Sequence, residues 1–323
     1  MFSNYKFTIR GKNQLTEFYI AQRGPQKNTR YSRSKIWWKN FKHFIRELIN
    51  CRTAFIGAII VLSFILVAIL APFIAPHDPL KASIIKRLLP PSWINGGNIT
   101  YLLGTDEIGR DIFSRIIYGA RVSLLVGLIT VAISSILGTL LGTFAGYYKG
   151  RFDAILSRFA DLLLSFPDLI FAIFLMAITG PGFFNLILIL CFKSWVTFFR
   201  LSRGEMISEK TKEYIEAAQA LGESDIKIIF KEILPNIVHS ILVLATLRVG
   251  YFIILEASLS FLGLGIQPPT PAWGSMINSG RAFMLTSWWV STMPGIALLV
   301  LVLSINLLGE GLRDILDPRL KLE

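Results

Sequence analysis

The sequence predicts an all-α membrane protein with six transmembrane helices and both termini on the cytoplasmic side. Three observations carry that reading. Hydrophobic residues make up 53% of the 323 positions and charged residues 17%, against about 25% charged in an ordinary soluble domain. The apolar surplus is gathered into blocks: residues 53–75 run for 23 positions, and residues 122–148 for 27, without one charge. Lys and Arg, finally, are divided unequally among the segments between blocks. A helix needs about 20 apolar residues to cross roughly 30 Å of hydrocarbon. Backbone amides in hydrocarbon must be satisfied within their own segment, which selects helices.

The first 52 residues carry twelve Lys and Arg against Glu17 and Glu47, most of the net charge of +12. Trp37, Trp38, Phe41, Phe44, Ile45 and Leu48 recur there at helical spacing beside Lys39, Lys42 and Arg46. That pattern predicts an amphipathic helix lying in the inner interface ahead of the first span. A basic tail next to a span is an anchor to anionic membrane lipid, not a nucleic-acid surface.

Uncharged or nearly uncharged runs place the spans at 53–75, 122–146, 162–180, 183–201, 237–262 and 288–309. The third and fourth are separated only by Gly180, Pro181 and Gly182, a tight reversal. Residues 76–121 become an extracytoplasmic loop and residues 122–309 a transmembrane core. Within that core, 200–236 is an inner loop, and 310–323 forms a cytoplasmic tail. With the N-terminus inside, the inner segments hold twenty-five of the 33 Lys and Arg and the outer ones seven, with Arg248 inside a span. That asymmetry is what orients helical membrane proteins.

The sequence predicts no catalytic residue and no metal site. Cys51 and Cys191 form neither a disulfide framework nor a CxxC pair. The histidines are His43, His77 and His239. Ser258, near the outer end of the helix that His239 begins, is roughly 28 Å further along its axis, beyond the reach of a general base. No G-x-x-x-x-G-K-[ST] loop occurs, so the chain binds no ATP of its own.

The loop at 200–236 carries the clearest local signals. Ser202 with Glu205 fits a capping box. Residues 206–221 are good helix formers, with Ile207, Tyr214, Ala218 and Leu221 on one face. Gly222 is placed to end that helix in a left-handed conformation. Ser224 is a cap for a second short helix, which Leu234-Pro235 leads into the membrane. Ala217 and Ala218 allow close approach of another surface, beside the carboxylates of Glu213 and Glu216.

The string EAAQALG at 216–222, followed by Leu234-Pro235, resembles the "EAA" loop of binding-protein-dependent ABC importer permeases. The family pattern is Glu-Ala-Ala, three residues, Gly, nine residues, Ile, one residue, Leu-Pro. Glu216, Ala217, Ala218, Gly222, Leu234 and Pro235 match it; the Ile position is Glu232 here. The strings LGTDEIGRDIFSRIIYGARVSLLVG (103–127), EASLSFLGLGIQPPTPAWGSMI (256–277) and NLLGEGLRDILDPRLK (306–321) are similar to the dipeptide and oligopeptide branch. The resemblance implies the type I ABC importer permease fold in a bacterial cytoplasmic membrane. It implies a second homologous permease, two ABC ATPase subunits that bind the ATP and Mg, and an extracytoplasmic solute-binding protein. The matched loop residues would couple to the ATPases. Di- or oligopeptides are the implied cargo, with nickel, glutathione or antimicrobial peptides as alternatives in the same branch. A stand-alone channel or secondary transporter is the remaining class, and the broken helices in two related halves that mark many such transporters are not visible.

Four charges fall well inside the predicted spans, away from their ends. Arg248 and Glu256, near and beyond mid-membrane on the fifth, either border a solute path or pair with another helix, because an unpaired charge at that depth costs at least about 2.5 kcal/mol. Asp168 lies seven residues outward from Asp161, and Lys193 seven residues outward from Arg200. Both therefore sit about 10 Å inside the same face by helical rise. The sequence predicts an ion pair between them, with separate interfacial positions as the alternative.

Overall fold

A computed structural model of the chain describes residues 46–316. Most of the amphipathic segment expected before the first span, up to residue 45, lies outside those residues, as does 317–323. The described chain is helical, and its one isolated β-bridge joins Thr105 to Asp111. Five helices are long and apolar enough to span: α1 (Arg52–Ile69), α3 (Ile112–Tyr148), α6 (Phe183–Glu209), α8 (Asp225–Phe261) and α10 (Trp289–Leu316). Between them lie α2 (Ala71–Ile74), α4 (Gly150–Leu164), α5 (Asp168–Thr179), α7 (Glu213–Ala220) and α9 (Trp273–Gly280).

The third expected span, 162–180, is not one helix. Residues 162–164 end α4, and α5 begins at Asp168 after a bend of 88°. Pro167 is the cause. It has no N–H to continue the ladder, and it disfavours the helical conformation at Phe166; Pro167 itself is extended, at φ −60 and ψ 139. The 12 residues of α5 rise about 18 Å, short of the hydrocarbon thickness, so α4 and α5 make a sixth candidate span only as a bent pair.

Other boundaries also move. The helix after the outer loop starts at Ile112, ten residues before the expected 122, because Asp111 caps it: its carboxylate accepts from Ser114 N at 3.0 Å and from Ser114 Oγ at 2.6 Å. Residues 310–316, assigned to the tail, continue α10. The Ser202–Glu205 capping box does not form. Ser202 is fully buried inside α6 and donates to the Phe198 carbonyl at 2.8 Å. The helix carries on to Glu209 because its charges find partners instead of marking an exit: Arg203 Nη2 meets Asp153 at 2.6 Å, and Glu205 accepts from Ser240 at 3.1 Å.

Packing rests on close backbone approach. Gly138, Gly142 and Gly146 lie one turn apart on α3 and face α6. A β-carbon at Gly142 would stand 2.5 Å from the Phe199 carbonyl oxygen, and one at Gly146 2.8 Å from that of Arg203. A stripe of small residues of this kind replaces the hydrophobic driving force that lipid cannot supply. The α1–α10 contact follows the same rule, with Gly57 against Ser304 and Gly311 against Ala54. Large apolar side chains such as Leu62, Ile136, Ile178 and Leu299 point outward, as suits helices solvated by lipid.

Residues 76–111 fold over the start of α3 on buried charge. Asp106 accepts from the amides of Ile108 and Arg110, and its other oxygen meets Arg110 Nε at 2.6 Å. Arg115 donates to the Pro79 carbonyl at 3.2 Å and lies 3.6 Å from Asp106. His77 stacks on Tyr101 and sits 3.4 Å from Asp111. The string beginning at Leu103 is thus a brace for this segment.

Candidate functional site

Two regions gather the residues singled out in the sequence. The first is an elbow between α6 and α8. The helix expected over 206–221 is divided: 206–209 finish α6, a turn follows, and α7 starts at Glu213. The division is held by side chains. Tyr214 Oη donates to Glu209 at 2.8 Å and accepts from Asn236 at 3.0 Å, while Lys212 pairs with Glu209. Burial and the bond to Glu209 push the Tyr214 phenol up from its ordinary pKa.

Gly222 ends α7 with φ +78. The Glu223 amide reaches the Ala218 carbonyl at 3.1 Å and the Gly222 amide that of Gln219 at 2.9 Å, the paired bonds of a Schellman motif. Nothing lies within 4 Å of where a Gly222 β-carbon would be, so the demand for glycine there is conformational only. The anchoring residue is Ile215, fully buried in the cluster that holds Ile228, Ile229 and Ile233, with Ala218 packed against it. Of the face expected to be apolar, Ile207 belongs to α6, Tyr214 is exposed and Leu221 is 85% exposed. Ala218 is the member of that face that packs inward, beside Ile215, against partners on the start of α8.

Glu216 and Ala217 are exposed, next to Leu221 and, across the turn, Ile226. The elbow therefore shows carboxylates interleaved with bare apolar surface. Ser224 stands at the N-cap of α8 with no side-chain cap bond. From Asp225 the chain is one continuous rod to Phe261, with no separate second helix. Leu234 is partly buried and Pro235 exposed. Pro235 has no amide hydrogen for the Lys231 carbonyl, and the turn before it, Ile228–Ile233, is wound as a π-helix in which Leu234 N bonds Ile229 O. Tyr147, at the end of α3, ties to this rod by donating to Asp225 at 2.7 Å.

The second region is a cavity between α5, α6 and α8, lined among others by Leu164, Asp168, Lys193, Thr197 and Arg248. Lys193 Nζ lies 2.5 Å from Asp168 Oδ1 and also donates to the Phe166 carbonyl. Asp161 and Asp168 do not share a straight helix, since the chain bends by 88° at Pro167 between them. The break instead supplies the second acceptor: the kink frees the Phe166 carbonyl, and the ammonium satisfies it. Tyr251, which the sequence reading passed over, donates to Asp168 Oδ2. Arg248 lies over the Tyr251 ring at 5.1 Å.

Glu256 is fully buried and meets no cation among the described residues. Its oxygens accept from Ser123 at 3.1 Å and Ser260 at 2.8 Å. Ser260 in turn accepts from the Ile266 amide at 3.2 Å. Within the described residues these hydroxyls pin α8 to α3 and to the turn after it.

Residues 138–322 match the family model for the binding-protein-dependent transport system inner membrane component, and residues 38–91 match that for the N-terminal TM domain of oligopeptide transport permease C. The di/tripeptide transport system permease protein DppC of Pseudomonas aeruginosa is 42% identical over 287 residues, covering 89% of this chain and 92% of the relative. The dipeptide transport system permease protein DppC of Haemophilus influenzae is 44% identical over 270 residues, covering 84% and 92%. A chain of the MetNI methionine ABC transporter, in an inward-facing conformation, superposes with a TM-score of 0.51 at 17% identity, over 62% of this chain and 96% of that one. It shares the fold. With several apolar spanning helices and inner-membrane relatives, the protein is a multi-pass inner-membrane protein. It belongs to the family of inner-membrane components of binding-protein-dependent transport systems.

Proposed function

We propose that the chain is one permease subunit of an ATP-driven importer of di- and oligopeptides. The carrying observation is that relatives more than 40% identical, matched over 92% of their own length, are named as dipeptide permeases. Those names favour peptides over nickel, glutathione or antimicrobial peptides. A second homologous permease completes the solute path, two ABC ATPases supply hydrolysis with their own ATP and Mg, and an extracytoplasmic binding protein delivers cargo. Both termini and the elbow lie in the cytoplasm.

The elbow supports a coupling role for Glu216, Ala217, Ala218 and Gly222. Its exposed carboxylates and bare apolar groups suit a groove on an ATPase, and Ile215 seats α7 on the first turns of α8. The lever is therefore α7 together with the rod that passes Leu234 and Pro235, not a single helix over 206–222. When the ATPases close, α7 is displaced and α8 carries the displacement across the membrane.

The test is reconstitution. The chain, purified with its genomic neighbours, should retain a nucleotide-binding subunit and drive ATP-dependent accumulation of a labelled dipeptide in proteoliposomes. Peptide accumulation without ATP, or no co-purifying ATPase, would contradict this reading.

A further inference from the structure

We propose that Arg248 is a carboxylate receptor in the solute path, binding the free C-terminal carboxylate of a peptide in transit. The inference rests on the peptide-import reading and deepens it.

Arg248 stands midway along the Leu234–Phe261 stretch of α8 and lines the cavity between α5, α6 and α8. The other charges of that cavity are spent on each other. Asp168 gives one oxygen to Lys193 and the other to Tyr251. Lys193, only 8% exposed, divides its donors between Asp168 and the Phe166 carbonyl. Among the described residues, Arg248 has no hydrogen bond or ion pair; its contact is the face of Tyr251. The cavity thus holds two cations and one anion, a surplus of one positive charge.

A surplus charge at this depth is costly unless it is matched or wetted. A guanidinium offers a planar fork of donors that fits a carboxylate at two points. The place of Arg248 over the Tyr251 ring, 5.1 Å from the centroid, leaves the N–H donors of that fork unused. Thr197 of α6 lines the same cavity. Every peptide with a free C-terminus carries the matching group whatever its side chains, which suits a path that must pass many sequences.

The experiment uses the full transporter with its binding protein in proteoliposomes. Uptake of a dipeptide and of its C-terminal amide is measured, each rate divided by that peptide's occupancy of the binding protein. Arg248→Gln should lower the free-acid rate about tenfold to a hundredfold, the usual loss for a charge-assisted hydrogen bond, and leave the amide rate within about twofold. Arg248→Lys should fall between. Equal effects of Arg248→Gln on both peptides would overturn the inference while leaving peptide import standing. Loss of the co-purifying second permease in both variants would assign Arg248 to a subunit contact and overturn it. A wild-type rate that depends on added phosphatidylglycerol, and loses that dependence in Arg248→Gln, would make the anion a lipid headgroup and also overturn it. If the wild type imports neither peptide, the inference falls together with the peptide reading.

Discussion

Lys193 meets Asp168 across a broken span, with 2.5 Å between ammonium and carboxylate, and the same ammonium satisfies the Phe166 carbonyl that the Pro167 kink sets free. The ion pair and the bend are thus one device. A carbonyl without a partner in hydrocarbon costs several kcal/mol, and a lysine from the next helix removes that cost.

This double duty predicts an asymmetry. Lys193→Met leaves one Asp168 oxygen and the Phe166 carbonyl without a donor, whereas Asp168→Asn removes only one charge. Lys193→Met should therefore lower the melting temperature of the detergent-solubilised complex clearly more than Asp168→Asn. Reversing both charges should restore assembly only in part, because a carboxylate at 193 faces the Phe166 carbonyl. Equal, additive losses would count against the device.

At Gly222 the backbone conformation is the whole requirement, since φ is +78 and no atom crowds the site. Gly222→Ala should cost about 1–2 kcal/mol in the local turn, and Gly222→Asn, which tolerates that conformation, should cost less. Gly222→Trp should uncouple ATP hydrolysis from uptake with membrane insertion intact. Parallel assays of hydrolysis and peptide uptake check this, and normal transport by the Trp variant would contradict the lever.

Gly142 is the opposite case: its φ is ordinary, but its space is filled by α6. Gly142→Leu should force α3 and α6 apart, an overpacking penalty of at least about 1–3 kcal/mol, and should abolish accumulation of folded protein. Size-exclusion profiles of a fluorescent fusion would show it.

Ser260 bridges Glu256 and the Ile266 amide. Ser260→Ala leaves two buried polar groups unmatched, at about 1–3 kcal/mol for each. Glu256→Gln keeps an acceptor for one serine hydroxyl and offers an N–H to the oxygen of the other, so it should be milder. Thermal unfolding of the two variants ranks them, and the reverse order would show that Glu256 needs its charge.

The existence of the spans was legible because each is an apolar block, but their ends were not. Arg115 and Arg121 made 112–121 look like loop, yet Arg115 is buried against Pro79 and Asp106. Arg200 and Arg203 made α6 look finished, yet they meet Asp161 and Asp153 on α4. Such pairings are tertiary and leave no local pattern. Pro167 was visible, but apolar residues on both sides favoured a continuous helix. In the elbow, Gly222 announced its own left-handed turn. The inward face of α7 did not, since Ile228 and Ile229, which bury Ile215, follow the turn.

The central claim is that the elbow lies inside the cell, where an ATPase grips it. Ala217→Cys, in a chain also carrying Cys51→Ser and Cys191→Ala, tests it with a membrane-impermeant maleimide. Labelling should occur only after the cytoplasmic side is opened, and an assembled ATPase subunit should shield the thiol. Labelling from outside intact cells would contradict the account.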